Sequence, residues 1–353
     1  MTNMDEPLLK VRDLRLNFYT YAGVVQALDG IDFEVHEGET FGLVGETGCG
    51  KSVTAASILR LVDQPGKIVG GEVLFKGEDL LKKTEEEMRR IRGRKIAIVF
   101  QDPMTYLNPV LTVGDQISEA VEESQDLTHP ISDMENKMPS STEKKPTKKA
   151  LREAALQKVK ESLRAVRMPN PDMVVTQYPH ELSGGMRQRA MIAMAISCIP
   201  EFMILDEATT FLDVTIQRQI LDLVRELQGQ LGCALLIITH NMGIIAEMCD
   251  RVAVMYAGNI VECAGTRALF RKPLHPYTRG LLSAIPNIAW RGSPLSPILG
   301  SVPNLITPPS GCRFHPRCPQ KVEACSSVKP EIVEVEPGHT VACHLFDGKN
   351  GDH

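Results

Sequence analysis

An apolar run from Phe41 to Val44 opens straight into "GETGCGKS", Gly45 to Ser52, and the chain goes on as "VTAASILRLV" with apolar residues at helical spacing. Strand, glycine loop and helix in immediate succession are the context in which G-x-x-x-x-G-K-S/T binds phosphate. The glycines let backbone N–H groups close on phosphate oxygens, and the helix start adds a favourable dipole. Lys51 then reaches the terminal phosphates and Ser52 ligates Mg2+. The candidate nucleotide-binding residues are therefore Gly45, Glu46, Thr47, Gly48, Cys49, Gly50, Lys51, Ser52 and Val53, with Cys49 a bystander at a variable position of the loop.

The remaining apolar runs extend that strand into a sheet. "IAIVF" (Ile96 to Phe100), "FMILD" (Phe202 to Asp206) and "ALLIITH" (Ala234 to His240) are short and unalternating, as expected of strands covered on both faces of a parallel sheet. "GEVLFKGEDL" and "RVAVMYAGNIVECAG" read instead as antiparallel hairpin edges, the second turning at Gly258 and Asn259. At the end of "FMILDE", Asp206 is placed to hold the magnesium through water, and Glu207 to polarise the attacking water as general base. An Asp-Glu pair alone is also what a strand ending in a solvated turn looks like; beside a phosphate loop it gains weight.

The 353 residues suffice for one large domain and a smaller one. A net charge of -5 carries no nucleic-acid bias, so DNA and RNA are not expected partners. The first residues have no positive region before an apolar run, and no stretch approaches about 18 consecutive apolar residues, so neither export nor membrane spanning is expected. From about 124 to 150 the chain turns polar and lysine-rich, reading as a solvated insertion; a lipid-headgroup contact through Lys144, Lys145, Lys148 and Lys149 is the lesser alternative. Near Lys272 prolines become frequent and helical periodicity fades. The expected division is a nucleotide-binding domain over 1–271, with a helical subdomain over about 101–195, and a loop-rich extension over 272–353.

"ELSGGMRQR", Glu181 to Arg189, resembles the signature motif of ABC-type ATPases. The order fits as well: phosphate loop, Gln101 in "VFQDP", signature, acidic strand, Asp213 in "FLDVT", then His240 in "LIITHN". The resemblance implies an α/β fold, the ABC-type P-loop ATPase core, with a mixed sheet, an antiparallel β edge and a helical signature subdomain. It also implies that two such domains sandwich ATP, the phosphate loop of one facing Ser183, Gly184 and Gly185 of the other. On the same ground Gln101 senses magnesium and couples to the membrane partner, Asp213 organises the dimer interface, and His240 contacts the γ-phosphate and steadies Glu207. Glu207, His240 and Lys51 are then the catalytic set, and Ser52, Gln101 and Asp206 the Mg2+ set. Adenine is expected to stack on Tyr21, with Tyr19 as the second choice. The chain departs from the family pattern at Ala208, where proline is usual, and at Phe211, where a small residue is common; both bear on the speed of hydrolysis.

Further stretches, "VVQALDGIDFEV", "YPHELSGGMRQRAMIAMAI", "HPYTRGLL" and "GCRFHPRCP…PGHTVACH", look like those of ATP-binding subunits of dipeptide and oligopeptide importers, a group that includes nickel and oligosaccharide importers. Of the 9 cysteines only Cys312, Cys318, Cys325 and Cys343 cluster, as C-x5-C-x6-C-x17-C. Four soft ligands suit a 4Fe-4S cluster or Zn2+; the absence of C-x2-C pairs and the resemblance favour the cluster, while His315, His339 and His344 keep zinc open. The implied role is an ATP-hydrolysing motor at the cytoplasmic face of the cell membrane. Its implied partners are two permease subunits, a second ATP-binding subunit (a paralogue) and, through the complex, a substrate-binding protein. The alternatives are a soluble non-transport ABC ATPase and a redox-regulated ATP-binding module.

Overall fold

The computed structural model describes residues 6–124, 148–210, 212–284 and 298–348. The chain divides into two compact units, one of Met1–Lys83 with Leu236–His353, the other of Thr84–Leu235.

The first unit contains an antiparallel sheet in the order Gly23–Val35, Leu9–Thr20, Gly66–Phe75, Glu78–Asp79. Its central strand reads "LKVRDLRL", with apolar residues at 9, 11, 14 and 16. That pattern breaks the period of two between Val11 and Leu14. The register shifts there against both neighbours, and Asp13 takes φ +43°, so one extra residue is absorbed as a bulge. Leu9, Val11, Leu14 and Leu16 consequently all face the core at 1% exposure or less.

The larger sheet of this unit runs Ile332–Glu336, His339–Ala342, Asn259–Gly265, Arg251–Tyr256, Thr40–Val44, then Ala234–Thr239, a strand whose last residues belong here. Thr40–Val44 is buried throughout and pairs in parallel with Arg251–Tyr256, Phe41 beside Arg251 and Val44 beside Val254. Burial on both faces explains why these runs do not alternate. Two expectations change. Arg251–Tyr256 is interior rather than an edge, and its hairpin turns at Ala257 and Gly258, φ +47° and +81°, because the strand Asn259–Gly265 already begins at Asn259. The hairpin formed by Ile332–Glu336 and His339–Ala342 joins the sheet by pairing Val341 with Glu262 and Thr340 with Cys263, so the segment after 271 shares hydrogen bonds with the segment before it.

In the second unit Ile96–Val99 and Phe202–Asp206 are parallel neighbours, Ile96 beside Phe202 and Val99 beside Leu205. Around them lie the helices Val113–Ser124, Lys148–Ala165, Gly184–Ile196 and Val214–Leu231. The last shows the physics most plainly. Asp213 caps it by accepting the Ile216 N–H at 2.9 Å, and Gly232 ends it in the left-handed region. Ile220, Leu221, Leu223, Val224 and Leu227 are its buried residues, each worth ~2 kcal/mol relative to exposure. The expected polar insertion lies outside the described residues from 125 to 147. Among the described residues no helix is long and apolar enough to cross a membrane.

Candidate nucleotide site

The phosphate loop leaves the buried strand at Gly45 and enters the helix Lys51–Ile58 through Gly50, whose φ is +111°. A side chain at Gly45 would place its Cβ 2.1 Å from the Met255 carbonyl oxygen, which is why the loop can lie flat on the neighbouring strand only with glycine there. Thr47, Gly48 and Ser52 are exposed, whereas Cys49 is fully buried with its thiol pKa pushed up by that burial. Cys49 is therefore a packing residue, as its variable position suggests. The Lys51 ammonium donates to the carbonyls of Gly45 (2.8 Å) and Glu46 (3.1 Å), folded back along the loop that it is expected to serve.

Glu46 is held at several points. Its N–H donates to the Tyr277 hydroxyl at 2.9 Å, and its carboxylate receives two guanidinium nitrogens of Arg317, at 2.6 and 3.0 Å. His240 directly follows the strand Ala234–Thr239, exposed, one residue before Asn241, which caps the helix Met242–Met248 by accepting from Gly243 N–H. Tyr21, the expected adenine platform, stands wholly exposed in the turn between Leu9–Thr20 and Gly23–Val35. Tyr19 is 46% exposed and lies under the Lys67 ammonium.

In the second unit, the parallel register that sets Val99 beside Leu205 brings the following residues abreast. Gln101 Nε2 donates to Glu207 Oε2 at 3.1 Å, and the Thr210 hydroxyl reaches the same oxygen at 3.4 Å. Asp206 is 7% exposed at the strand end. Glu207 takes φ +46°, an uncommon conformation for a residue with a side chain, at the position expected to carry the general base. Ser183 and Gly184 are exposed at the start of the helix Gly184–Ile196, where the Ser183 hydroxyl accepts the Met186 N–H at 3.4 Å. Gly185 faces Ile216, which a Cβ would approach to 2.9 Å. Asp213, exposed, is occupied as the cap of the next helix.

The family model described as "ABC transporter" matches residues 28–210, from within the strand Gly23–Val35 to the segment just past the Asp206–Glu207 pair. The chain belongs to the ABC transporter family. A second model, "Oligopeptide/dipeptide transporter, C-terminal region", matches residues 261–325. Among relatives, the probable peptide ABC transporter ATP-binding protein y4tR of Sinorhizobium fredii is 50% identical, over 95% of this chain and 94% of its own. The dipeptide transport ATP-binding protein DppD of Bacillus subtilis is 46% identical, over 97% and 96%. In fold, the dimeric structure of MJ0796, a bacterial ABC transporter cassette, superposes with a TM-score of 0.59 at 22% identity, covering 73% of this chain and 99% of that one. The ABC cassette fold expected from the motifs is thus the fold observed, and the chain is an ATP hydrolase of this family.

Where the ABC transporter pattern usually has proline, Ala208 is buried at 8% exposure; Phe211 lies outside the described residues. Among the expected metal ligands, Ser52, Gln101 and Asp206 offer hydroxyl, amide and carboxylate oxygens, the hard donors that Mg2+ requires, so they fit that ion. The four-cysteine centre is different. Cys312, Cys318 and Cys343 have thiol pKa values raised first by burial and further by the charge of the other cysteines, Cys343 to about 11, so the four share one neighbourhood. Yet among the described residues no three His, Cys, Asp or Glu side chains close into a group that would hold a metal. The expected 4Fe-4S cluster, or Zn2+ in its place, therefore lacks support in this arrangement. Of the histidines weighed for a zinc site, His344 has both ring nitrogens engaged, Nδ1 with Asp347 and Nε2 with the Val328 carbonyl at 2.8 Å, whereas His339 uses Nε2 with Glu262 at 2.8 Å and His315 uses Nδ1 with the Cys312 carbonyl at 3.0 Å.

Arg317 and Tyr277 escaped the sequence reading as site residues. Both stand in stretches that carried the importer resemblance, "HPYTRGLL" and "GCRFHPRCP", but nothing in local spacing says that they reach residue 46.

Proposed function

We propose that the chain is the ATP-hydrolysing motor of a peptide importer, with Gly45–Ser52 and Val53 holding the nucleotide phosphates and Lys51 neutralising the terminal ones. Ser52, Gln101 and Asp206 would hold Mg2+, which when bound offsets charge on the β- and γ-phosphates. Glu207 accepts a proton from the attacking water, with its carboxylate oriented by Gln101, and the Gln101–Glu207 hydrogen bond is the observation that carries this assignment. His240 contacts the γ-phosphate and Tyr21 the adenine. Ser183, Gly184 and Gly185 present a hydroxyl and a helix N-terminus to the nucleotide of a partner subunit, and Asp213 lies at that interface.

The division into a nucleotide-binding domain over 1–271 and an importer-type extension over 272–353 belongs to the same reading, supported by the second family match. Peptide as the solute rests on the y4tR and DppD likeness. Permease docking at the cytoplasmic membrane face is supported by the exposed apolar side chains of Met104, Tyr106 and Val110, which follow Gln101 directly. A paralogous ATP-binding subunit and a substrate-binding protein complete the assembly. A thiolate-held centre on Cys312, Cys318, Cys325 and Cys343, iron–sulfur before zinc, has donor chemistry alone in its favour; metal-free, colourless protein from anaerobic purification removes it.

The test is ATP turnover by the chain alone and with permease and second ATPase subunit added. Low activity alone that rises in the assembly, and rises again with peptide and binding protein, is expected. Stimulation by nucleic acid in place of permease would sink the motor reading.

A further inference from the structure

An acidic residue in an anion-binding loop is an electrostatic liability. Glu46 is such a residue, a carboxylate within the segment that must accept the several negative charges of a nucleotide. Its charge is met by Arg317 in a two-pronged pair, 2.6 and 3.0 Å, in which the Arg317 side chain is only 6% exposed. The guanidinium is fixed in turn: Nε donates to the Leu299 carbonyl at 2.9 Å, one terminal nitrogen to the Ile298 carbonyl at 3.3 Å, the other to the Tyr256 hydroxyl at 3.3 Å. An arginine held by five donated bonds has little freedom left to lose, so the pair is pre-organised.

The same C-terminal segment braces the loop's other end. Arg313, also 6% exposed in its side chain, donates to the Ala257 carbonyl at 2.6 Å and to the Gln26 carbonyl at 3.2 Å. It thereby pins the turn whose Gly258 N–H donates to the Cys49 carbonyl at 2.8 Å. Tyr256, whose ring lies under the Arg317 guanidinium, forms with Tyr277 and Phe314 one buried aromatic cluster, with centroids 4.7 to 5.3 Å apart. Tyr277 from that cluster receives the Glu46 N–H. "CRFHPRC" thus contributes an arginine to each side of the phosphate loop.

We propose that the C-terminal extension is part of the nucleotide site, with Arg317 a positioning residue that neutralises Glu46 and, together with Tyr277, holds the phosphate loop in its anion-accepting shape. The proposal rests on the reading that Gly45–Ser52 hold the nucleotide. It separates two contributions, charge and shape: removal of Arg317 leaves a carboxylate facing incoming phosphates, while the Tyr277 contact keeps the backbone in place.

The experiment is equilibrium titration of the full chain with MgADP at low and high salt. Arg317→Met is expected to weaken binding about tenfold at low salt, with the deficit shrinking at high salt as the charge is screened. Arg317→Lys should fall between the two, and Glu46→Gln with Arg317→Met should regain most of the lost affinity. Unchanged affinity in Arg317→Met overturns the proposal, and so does a double variant as weak as the single, since a merely structural arginine would not be rescued by removing the charge it meets. Should Arg317→Met fail to fold, Arg317→Lys and the double variant carry the same comparison. Lys51→Ala serves as reference: if it binds MgADP like the parent protein, the loop assignment fails rather than the role of Arg317.

Discussion

Gln101 donates its side-chain amide to the Glu207 carboxylate across 3.1 Å. The bond follows from strand register, since Val99 and Leu205 are partners and the chain carries each residue a short step beyond its strand. It gives Glu207 a fixed direction while its φ of +46° lifts the side chain out of the strand's alternation. Glu207→Gln should lower ATP turnover in the assembled transporter by about a hundredfold or more while leaving nucleotide bound. Gln101→Ala should cost less, on the order of tenfold, because it frees the base rather than removing it. Steady-state turnover measures both; undiminished turnover in Glu207→Gln removes the base assignment.

Gly45 and Gly48 are glycines for different reasons. A Cβ at Gly45 meets a backbone oxygen at 2.1 Å, which no rotamer change relieves, while Gly48 faces open space and needs only its φ of +81°. Gly45→Ala should therefore destabilise the protein by about 3 kcal/mol and abolish ADP binding, whereas Gly48→Ala should cost about 1 kcal/mol. Thermal melts with and without ADP distinguish the two, and equal losses would show that the Met255 contact is not the cause.

Glu262 anchors the extension from inside the sheet. Fully buried, it accepts the N–H groups of Leu274 (2.8 Å) and His275 (2.9 Å) and pairs with His339 at 2.8 Å. Glu262→Ala strands these groups and should lower stability by about 3 kcal/mol in urea unfolding. A loss under about 1 kcal/mol would mean that water replaces the carboxylate.

Acid should loosen the same region. Burial pushes the His275 pKa down to about 4, against the pull of the Glu262 charge and with help from Arg279, and its Nδ1 accepts the Tyr277 N–H at 3.0 Å as only a neutral ring can. The unfolded imidazole titrates near about 6.5, so between those values the unfolded chain holds a proton that the folded one refuses. Stability is then complete above about 6.5 and is lost as pH falls through this window, by on the order of 3 kcal/mol. Burial raises the Glu262 pKa, but hydrogen bonds from His339, Leu274 and His275 outweigh it and leave the group below its usual value, so its loss follows with the same sign at lower pH. His275→Asn keeps a helix cap without titrating, and urea midpoints for that variant should flatten between about pH 6.5 and 4.5. An unchanged slope would assign the acid sensitivity elsewhere.

Much of the machinery could be read from the chain because its motifs are local. A glycine loop after one strand, an acidic pair after another and Ser-Gly-Gly before a helix each need only a few neighbouring residues to acquire their geometry, so order and spacing carried them. The hairpin turn at Ala257 and Gly258 was misplaced by one residue because glycine and asparagine both favour turns, and only pairing distances choose between them. The cysteine spacing is a signal of another kind. It announced four soft ligands in one segment, but whether thiols close around an ion depends on how loops without periodicity fold, which spacing does not encode.

By itself, then, the sequence determined the strand, glycine loop and helix and the acidic strand end, through short-range periodicity and the conformational freedom of glycine, while the order of its motifs carried the resemblance to the ABC cassette. Tertiary structure alone decided that Arg317, 271 residues from Glu46 along the chain, neutralises it, and that Glu262 joins the extension to the sheet. Charges and hydrogen bonds act over a few ångströms in space whatever their separation in sequence, and the burial that makes these pairs strong exists only once the chain has folded.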